Sequence, residues 1–385
     1  MSLSSKLPQI GTTIFTTMSQ LASEAGAINL AQGFPGFGAD PVLLELLAKA
    51  SLAGHNQYAP MSGLPSLRQQ IAEKTQRTQG YLPNADREVT VVSGASEAIF
   101  VALTAVVRPG DEVLVLEPAY DSYVPGIELN GGIPVFVSLD PTNFSVDWEL
   151  LISKVTNKTR AILVNNPHNP SGYVWSPEEV KRLSELVEKT GIYVISDEVY
   201  EHLVYDGKIH HSLGADPVLR EKTFVCGSFG KTFHVTGWKI GYCIAPVELT
   251  HEFRKVHQFI TFSTATPMQH ALASYLEVAE RYRSLPNFYQ RKRDFFVAGL
   301  KETEFRFVPA AGSFFQLVSY AHLSDLPDVV MAERLTKIIK VACIPVSAFY
   351  TNGQDRKLLR FCFAKEESEL QEALLRLKNL SEILR

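Results

Sequence analysis

The sequence predicts an α/β fold, in which a large domain with a mostly parallel, seven-stranded sheet between helical layers is joined to a smaller α+β domain. Three observations lead to this prediction. Seven short apolar and β-branched runs occur between residues 88 and 245, connections long enough for helices separate them, and the C-terminal part mixes strand and helix patterns. Continuous apolar strands joined by helices are typical of parallel sheets buried on both faces.

The elements are predicted in chain order. Residues 1–40 show no clear periodicity and are expected to form an irregular arm. Segments 41–54 and 66–80 repeat apolar residues every three to four positions and end in glycine, which predicts two helices. The predicted strands of the sheet are EVTVVS, DEVLVLE, IPVFVSL, RAILVNN, IYVISD, TFVCGS and KIGYCIA. Two long helical patterns follow within 247–303, and the remainder combines the strands SFFQLVS and KLLRFCFA with helices.

Composition places the chain among ordinary globular proteins and excludes several partners. It has 385 residues, 45% hydrophobic and 20% charged, with a formal net charge of -4. This balance offers no basic surface for nucleic acid or an acidic membrane. The four cysteines lack metal-ligand spacing, and no apolar run is long enough for a signal peptide or membrane span. We therefore expect a cytoplasmic protein without a metal site.

The segment CGSFGKTFHVTGWKIG, residues 226–241, contains the Gly-Lys-Thr that closes a phosphate loop in ATP-binding proteins. The first glycine of such a loop should stand where Val225 lies inside a predicted strand, so a phosphate loop is rejected. Lys231, at a strand end among small residues, can instead lose its proton and react with an aldehyde cofactor. Ser228 and Lys239 could then bind a phosphate on that cofactor. A solvated surface lysine is the alternative.

The segment SDEVYEHLVY follows another predicted strand. A turn of helix there would bring Asp197 and Tyr200 to one face. A carboxylate can keep a cofactor's pyridine nitrogen protonated, which makes the ring accept electrons, and a phenol can hydrogen-bond to the neighbouring ring oxygen. Asp197 could equally cap a helix.

Three further motifs carry polar groups suited to anions. In VNNPHNPSGYVW, two Asn-Pro steps predict a rigid loop from which Asn169 offers its amide, although a plain turn is the alternative. In VVSGASEAIF, Ala95 and Ser96 lie at the start of a helix, where free N–H groups can bind a phosphate. Arg360 interrupts an apolar strand, so its guanidinium needs either a substrate carboxylate or an internal salt bridge.

Together these motifs resemble the class I/II aminotransferases, which are pyridoxal-phosphate enzymes of fold type I. The resemblance extends from about Phe15 to the C-terminus. QGFP, QYAPMSGLPSLR, NNPHNPSG, SDEVYE, SFGKTFHVTGWKIGY and RFCFAK occur in the family's order. The resemblance implies pyridoxal 5′-phosphate as cofactor, a homodimer with shared active sites, and ping-pong exchange of an amino group between amino acids and 2-oxo acids. It also implies an arm with part of the small domain at 1–40, a cofactor-binding domain at 41–285 and a small domain at 286–385.

The resemblance implies a role for each candidate residue. Lys231 would hold the cofactor and move a proton, Asp197 would pair with the ring nitrogen, and Tyr200 would bind the ring 3-oxygen with Asn169. The other implied contacts are Ala95, Ser96, Ser228 and Lys239 with the phosphate, Tyr120 with the ring, Tyr58 with the partner subunit's phosphate, and Gly33, Asn169 and Arg360 with the substrate carboxylate. Phe15 would cover the substrate side chain, with a core contact as the alternative. Lys239 stands where many members have arginine.

Within the family, GWK, QGFP, VHQ and RFCFAK look like the branch of kynurenine aminotransferase, glutamine transaminase K and bacterial methionine aminotransferase. The matched motifs contain no second arginine for a dicarboxylate. The expected donors are therefore uncharged and bulky: methionine, aromatic amino acids, kynurenine or glutamine. A carbon–sulfur β-lyase acting on cysteine conjugates is the alternative on the same fold. A non-catalytic regulatory domain is the third hypothesis, and it would need a basic DNA-binding module for which the N-terminus shows no pattern.

Overall fold

The computed structural model of the protein describes residues 4–382. Its helices are α1 (Ile14–Ala25), α2 (Pro41–Leu52), α3 (Pro65–Gln79), α4 (Gly94–Val106), α5 (Tyr123–Leu129), α6 (Trp148–Ser153), α7 (Pro177–Thr190), α8 (Pro217–Arg220), α9 (Phe229–Thr232), α10 (Val247–Ile260), α11 (Thr266–Leu276), α12 (Glu280–Arg283), α13 (Leu285–Leu300), α14 (Asp328–Arg334) and α15 (Glu367–Leu377). Its strands are β1 (Ile28–Asn29), β2 (Val89–Val92), β3 (Glu112–Glu117), β4 (Ile133–Ser138), β5 (Thr159–Asn165), β6 (Tyr193–Asp197), β7 (Thr223–Ser228), β8 (Gly241–Ile244), β9 (Phe315–Ser319), β10 (Val341–Ala342), β11 (Ile344–Pro345) and β12 (Leu358–Cys362).

The seven predicted strands form one central sheet in the order β2-β8-β7-β6-β5-β3-β4. The pairs from β7 to β4 are parallel, and β8 is antiparallel to both of its neighbours. The prediction of a mostly parallel seven-stranded sheet is therefore confirmed. Because β8 alone is reversed, its first residue lies at the same edge of the sheet as the last residues of the other six strands.

Both faces of this sheet are buried, which explains the unbroken apolar runs. In β3, Val113 and Val115 pack into the hydrophobic core beneath α4, whereas Leu114 and Leu116 pack into the opposite core beneath α7. Successive side chains of a strand point to opposite faces, so a strand buried on both sides must be apolar at every position.

The smaller part of the molecule contains a three-stranded antiparallel sheet, β11-β12-β9, and a parallel pair, β1-β10. In the parallel pair, Ile28 lies opposite Val341, so the beginning of the chain packs with its C-terminal part. The domain boundaries near residues 40 and 285 remain a proposal. Residues 1–3 of the predicted arm and residues 383–385 of the predicted small domain lie outside the described range.

The prediction of an irregular arm up to residue 40 is wrong, because α1 lies within it. Thr13 begins this helix and accepts a hydrogen bond from the Thr16 N–H group, and Gly26 ends it in the left-handed conformation. Met18 and Ala22, four positions apart, are its buried residues. The sequence therefore contained a cap and an apolar repeat that could have identified this helix.

The long helical pattern after residue 266 is also shorter than predicted, because it divides into α11, α12 and α13. Pro286 lies in the first turn of α13, where its missing N–H group breaks no helical hydrogen bond. Arg281 donates a hydrogen bond of 2.7 Å to the carbonyl oxygen of Tyr275 near the end of α11. A carbonyl group released by the break is thus still satisfied.

Within residues 4–382, no helix combines the length and apolar character needed to cross a membrane. The four cysteines, Cys226, Cys243, Cys343 and Cys362, are buried and unpaired.

Candidate active site

A cavity of about 820 Å³ opens beside the edge of the central sheet where its parallel strands end. Nearly all of the predicted site residues line it. They are Phe15, Gly33, Ala95, Ser96, Tyr120, Asn169, Asp197, Tyr200, Ser228, Lys231, Lys239 and Arg360. The cavity thus brings together side chains from the whole length of the chain, and Tyr58 is the one predicted residue that lies elsewhere.

Lys231 lies in α9, directly after β7, and its side chain is half-buried. Its Nζ donates a hydrogen bond of 2.8 Å to the carbonyl oxygen of Gly33. Burial lowers the pKa of Lys231 to about 8, and the nearby positive charge of Arg360 acts in the same direction. The alternative of a solvated surface lysine is therefore wrong. An amine with this pKa is substantially neutral in mildly alkaline solution, as a nucleophile or base requires.

Asp197, the last residue of β6, is buried, and its carboxylate accepts hydrogen bonds only from neutral groups. Oδ2 accepts from the Tyr123 hydroxyl at 2.7 Å, and Oδ1 accepts from the Val199 N–H group at 3.3 Å. Burial raises the pKa of Asp197 to about 6 despite these bonds. The residues directly after Asp197 form a turn rather than a helix, so the helix-cap alternative is wrong.

The predicted turn of helix that would join Asp197 and Tyr200 is also wrong. The chain forms a non-helical turn there, in which the Leu203 N–H group donates to the Tyr200 carbonyl oxygen at 2.8 Å. Tyr200 nevertheless lines the cavity, and its ring packs edge-on against Phe314 at 5.1 Å between centroids. A short polar turn satisfies its own backbone with fewer residues than a helix needs.

Sequence reasoning missed two residues that hold Asp197 in place. Tyr123, which donates to its carboxylate, stands three positions after Tyr120 in the segment EPAYDSY, and this spacing was the available signal. Asn165 donates from Nδ2 to the Asp197 carbonyl oxygen at 3.0 Å and accepts from the Asn169 N–H group at 2.7 Å. Asn169 is therefore part of a braced loop rather than a plain turn.

Arg360 is 1% exposed and has no acidic partner within ion-pair distance among the described residues. Nη1 donates to Asn169 Oδ1 at 2.8 Å, Nη2 donates to the Ala31 carbonyl oxygen at 3.0 Å, and Nε has no partner. The guanidinium lies 3.9 Å from the ring centroid of Phe315. The alternative of an internal salt bridge is wrong, and a buried cation of this kind can accept an anionic ligand.

The start of α4 and Lys239 form a second positive region of the cavity. The residue that begins α4, Ser93, makes no capping hydrogen bond with its side chain. A Cβ atom on Gly94 would lie 3.3 Å from Lys239 Nζ, and a Cβ atom on Gly241 would lie 3.0 Å from the Ala95 nitrogen. The ammonium group thus approaches the first turn of the helix because two glycines leave room. A helix N-terminus beside a cation favours a bound anion.

Tyr58 and Phe15 have different surroundings. Tyr58 is 83% exposed, lies outside the cavity, and contacts Phe262 edge-on at 5.5 Å. Phe15 lines the cavity, packs edge-on against Phe349 at 5.8 Å and lies 5.2 Å from the guanidinium of Arg360. Phe15 therefore contacts the core and the cavity at once.

The chain matches a family model over residues 25–377, and the family is described as aminotransferase class I and II. The chain belongs to the class I and II aminotransferases. An aminotransferase exchanges amino groups between small amino acids and oxo acids, so the predicted enzyme class is confirmed. The roles assigned to individual site residues remain predictions.

Similar aminotransferases cover almost the whole chain. It is 48% identical to methionine aminotransferase of Escherichia coli strain K12 over 377 residues, or 98% of both chains. It is 37% identical over 390 residues to a probable N-succinyldiaminopimelate aminotransferase of Mycobacterium tuberculosis, which covers 98% of both. It is 35% identical over 418 residues to kynurenine–oxoglutarate transaminase of Dictyostelium discoideum, which covers 97% of this chain and 96% of the relative.

A solved structure from Escherichia coli, described as identifying a methionine aminotransferase function, has the same fold. Its TM-score is 0.97 at 48% identity, covering 99% of this chain and 100% of that one. The predicted fold class of this aminotransferase, fold type I, is therefore confirmed.

Proposed function

We propose that this aminotransferase depends on pyridoxal 5′-phosphate and transfers the amino group of an uncharged, bulky amino acid to a 2-oxo acid in a ping-pong cycle. One observation carries the proposal: Lys231 and Asp197, at the ends of neighbouring strands, line one cavity together with a buried Arg360 that has no acidic partner. These groups are an amine, an acid and a carboxylate receptor, which such a transfer requires.

The residues of the cavity fit this cofactor. Lys239, Ser228 and the free N–H groups of Ala95 and Ser96 would bind its phosphate, because a cation at an uncapped helix start needs an anion. Bound there, the cofactor would supply an aldehyde carbon and an electron-accepting ring.

The other contacts of the proposed cofactor lie along the strand ends. Asp197 would face the ring nitrogen and keep it protonated, and this new cation would lower the carboxyl pKa from its raised value. Tyr120 would lie against the ring, and Tyr200 and Asn169 would bind its 3-oxygen. Each of these residues lines the same cavity as Lys231.

Lys231 would attach the cofactor and then act as the base. With a pKa of about 8, its Nζ can take a proton from the α-carbon of the donor and return it later. The carbonyl oxygen of Gly33, 2.8 Å away, can hold the amine in place when it is not covalently engaged. The same side chain can therefore serve in both halves of the cycle.

The preference for uncharged donors is supported by the charges around the cavity. Arg360 would bind the α-carboxylate with Asn169 and the Gly33 backbone. The other cations lining it among the described residues are Lys231 and Lys239, which already have proposed roles. No cation is left for a second carboxylate, whereas Phe15 and Phe315 offer apolar contact. The names of the relatives with methionine and kynurenine as substrates agree with such donors.

The proposal includes a homodimer in the cytoplasm. Tyr58 would reach the partner subunit's cofactor phosphate, and its high exposure outside its own cavity supports this role. Its contact Phe262 is 43% exposed, and Phe259 and Leu52 are 84% and 90% exposed. The four unpaired cysteines support a reducing compartment.

A spectrum and a donor panel test the proposal. Purified protein with pyridoxal phosphate should absorb visible light, and the absorbance should disappear on borohydride reduction and in Lys231→Ala, which should lose roughly 10⁴-fold in turnover. Methionine, phenylalanine, kynurenine and glutamine should outperform aspartate with a common oxo acid. A protein that cannot bind the cofactor would contradict the proposal. Release of a thiol, pyruvate and ammonia from a cysteine conjugate without an oxo acid would indicate a β-lyase instead.

A further inference from the structure

His257, in the last turn of α10, is completely buried between two other segments of the molecule. Its Nδ1 lies 2.7 Å from Oε1 of Glu97, and its Nε2 lies 3.0 Å from the carbonyl oxygen of Met61. Neither Tyr58 nor Lys231 nor any other residue assigned above needs this imidazole for its own contacts. It is thus a buried titratable group that the proposed reaction leaves unused.

His257 faces one hydrogen-bond partner at each ring nitrogen. A carbonyl oxygen can only accept a hydrogen bond, so Nε2 carries a proton toward Met61. Burial opposes ionisation of Glu97, but the hydrogen bond and charge of His257 outweigh it and lower the pKa of Glu97. An ionised carboxylate is also only an acceptor, so an ionised Glu97 takes its hydrogen bond from an Nδ1–H group, and the contact is then an ion pair.

Glu97 connects this imidazole to the start of α4. It lies in the first turn of the helix, and its Oε2 accepts a hydrogen bond from the Ser93 N–H group. Ala95 and Ser96, which would bind the cofactor phosphate, lie between these two residues in sequence. The carboxylate thus shapes the phosphate-binding turn. Its negative charge, however, lies in the same helical turn as Ala95 and Ser96, which would bind the negatively charged phosphate of the cofactor.

Met61 connects the same imidazole to the segment that carries Tyr58, three positions earlier. This segment is held by two further hydrogen bonds directly after the contact. The Val91 N–H group donates to the Ser62 carbonyl oxygen at 3.0 Å, and the Leu64 N–H group donates to Gln269 Oε1 at 2.7 Å. His257 therefore lies at the junction of two segments that would both contact cofactor phosphates.

We propose that His257 is a positioning residue for the phosphate end of the site, where its positive charge neutralises Glu97 and so permits a carboxylate to shape the phosphate-binding turn. The inference rests on the proposed cofactor. Without the imidazolium, Glu97 would be a buried, uncompensated carboxylate close to the phosphate, and like charges in a low dielectric repel strongly.

The test compares two ligands that differ only in the phosphate. Dissociation constants for pyridoxal 5′-phosphate and for pyridoxal are measured on the full chain. In His257→Asn, binding of pyridoxal phosphate should weaken by about tenfold or more, whereas binding of pyridoxal should change by less than about threefold. Adding Glu97→Gln to that variant removes the uncompensated charge and should restore most of the lost preference for the phosphate.

Two further variants separate charge from folding. His257→Gln keeps a hydrogen-bond donor without the charge, so it should show the same selective loss and replaces His257→Asn if that variant does not fold. His210→Asn is the matched control, since His210 is also buried and lies 2.8 Å from a carboxylate oxygen of Glu198, away from the phosphate end. It should leave the ratio of the two dissociation constants unchanged.

The outcomes are distinct from a failure of the proposed function. An equal loss for both ligands, or no recovery with Glu97→Gln, would overturn the role of His257. Wild-type protein that binds neither ligand would instead overturn the proposed cofactor.

Discussion

Asp197, the last residue of β6, is buried, and the Glu201 side chain, in the turn that follows, is 9% exposed, yet the surroundings of these two carboxylates are opposite. Glu201 forms an ion pair with Lys74 and accepts a hydrogen bond from the Tyr242 hydroxyl. Burial opposes its ionisation, but the charge of Lys74 outweighs burial and lowers the pKa of Glu201 to about 2. Asp197 has only neutral donors, and burial raises its pKa to about 6.

The difference separates a structural charge from one kept for a ligand. Lys74 also donates to the Tyr242 hydroxyl at 2.6 Å, so the pair joins α3 to the turn after β6 and to β8. Among residues 4–382, neither Asp197 nor Arg360, which also lines the cavity, has a partner in a salt bridge. A buried charge is costly unless a partner compensates it. We infer that the ligand provides this compensation for both.

The largest effect that would sharpen the comparison is expected for Asp197→Asn. The amide keeps the size of the side chain but loses the charge that protonates the ring nitrogen, so kcat should fall roughly 10³-fold with the cofactor still bound. Steady-state kinetics and an absorbance spectrum check both parts. Turnover within threefold of wild type would remove Asp197 from its proposed role.

The same substitution should change how stability depends on pH. The pKa of Asp197 is about 6 in the folded protein, against an ordinary value of 3.8 for an aspartate side chain. Between these values the folded state binds more protons, so stability should fall as pH rises from about 4 to about 6, by about 3 kcal/mol in total. Urea unfolding of the cofactor-free protein at several pH values should show this loss of stability in the wild type and not in Asp197→Asn. The same dependence of stability on pH in both proteins would contradict the prediction.

A smaller effect on catalysis is expected for Arg360→Lys. Lysine keeps the positive charge but cannot donate from two nitrogens in one plane, and its ammonium stacks less well on Phe315. The KM for the amino donor should rise roughly 10²-fold, with a smaller change in kcat. An unchanged KM for every donor would show that the substrate carboxylate binds elsewhere.

The smallest catalytic effect, but a large loss of stability, is expected for Lys74→Met. Removing the cation leaves Glu201 buried without its partner, which should lower the free energy of unfolding by about 3–5 kcal/mol. Turnover of the folded fraction should stay within about threefold, since neither residue lines the cavity. Adding Glu201→Gln should recover much of the stability. A severe loss of turnover in Lys74→Met at unchanged Tm would contradict the conclusion that Glu201 is structural and Asp197 functional.

Much of the large-domain side of the site could be predicted because it depends on local sequence. Ala95, Tyr120, Asn169, Tyr200 and Lys231 each follow one of the predicted strands. Parallel strands bring their ends to one edge of a sheet, so residues after those ends must meet. The wrong prediction of a helical turn after Asp197 does not affect the predicted position of Asp197 itself. Strand β6, which ends at Asp197, already determines where that side chain lies.

The sequence by itself determined the strands, the sheet edge and the residues that follow each strand, because these depend on neighbouring residues and on one repeated pattern. Only the tertiary structure showed that Arg360 bonds to Asn169 across 191 positions of sequence, and that His257 bonds to Glu97 across 160. It likewise decided that Lys74 neutralises Glu201 while Asp197 stays unpaired. Compensation of buried charge depends on which distant segments pack together, and no local pattern records that.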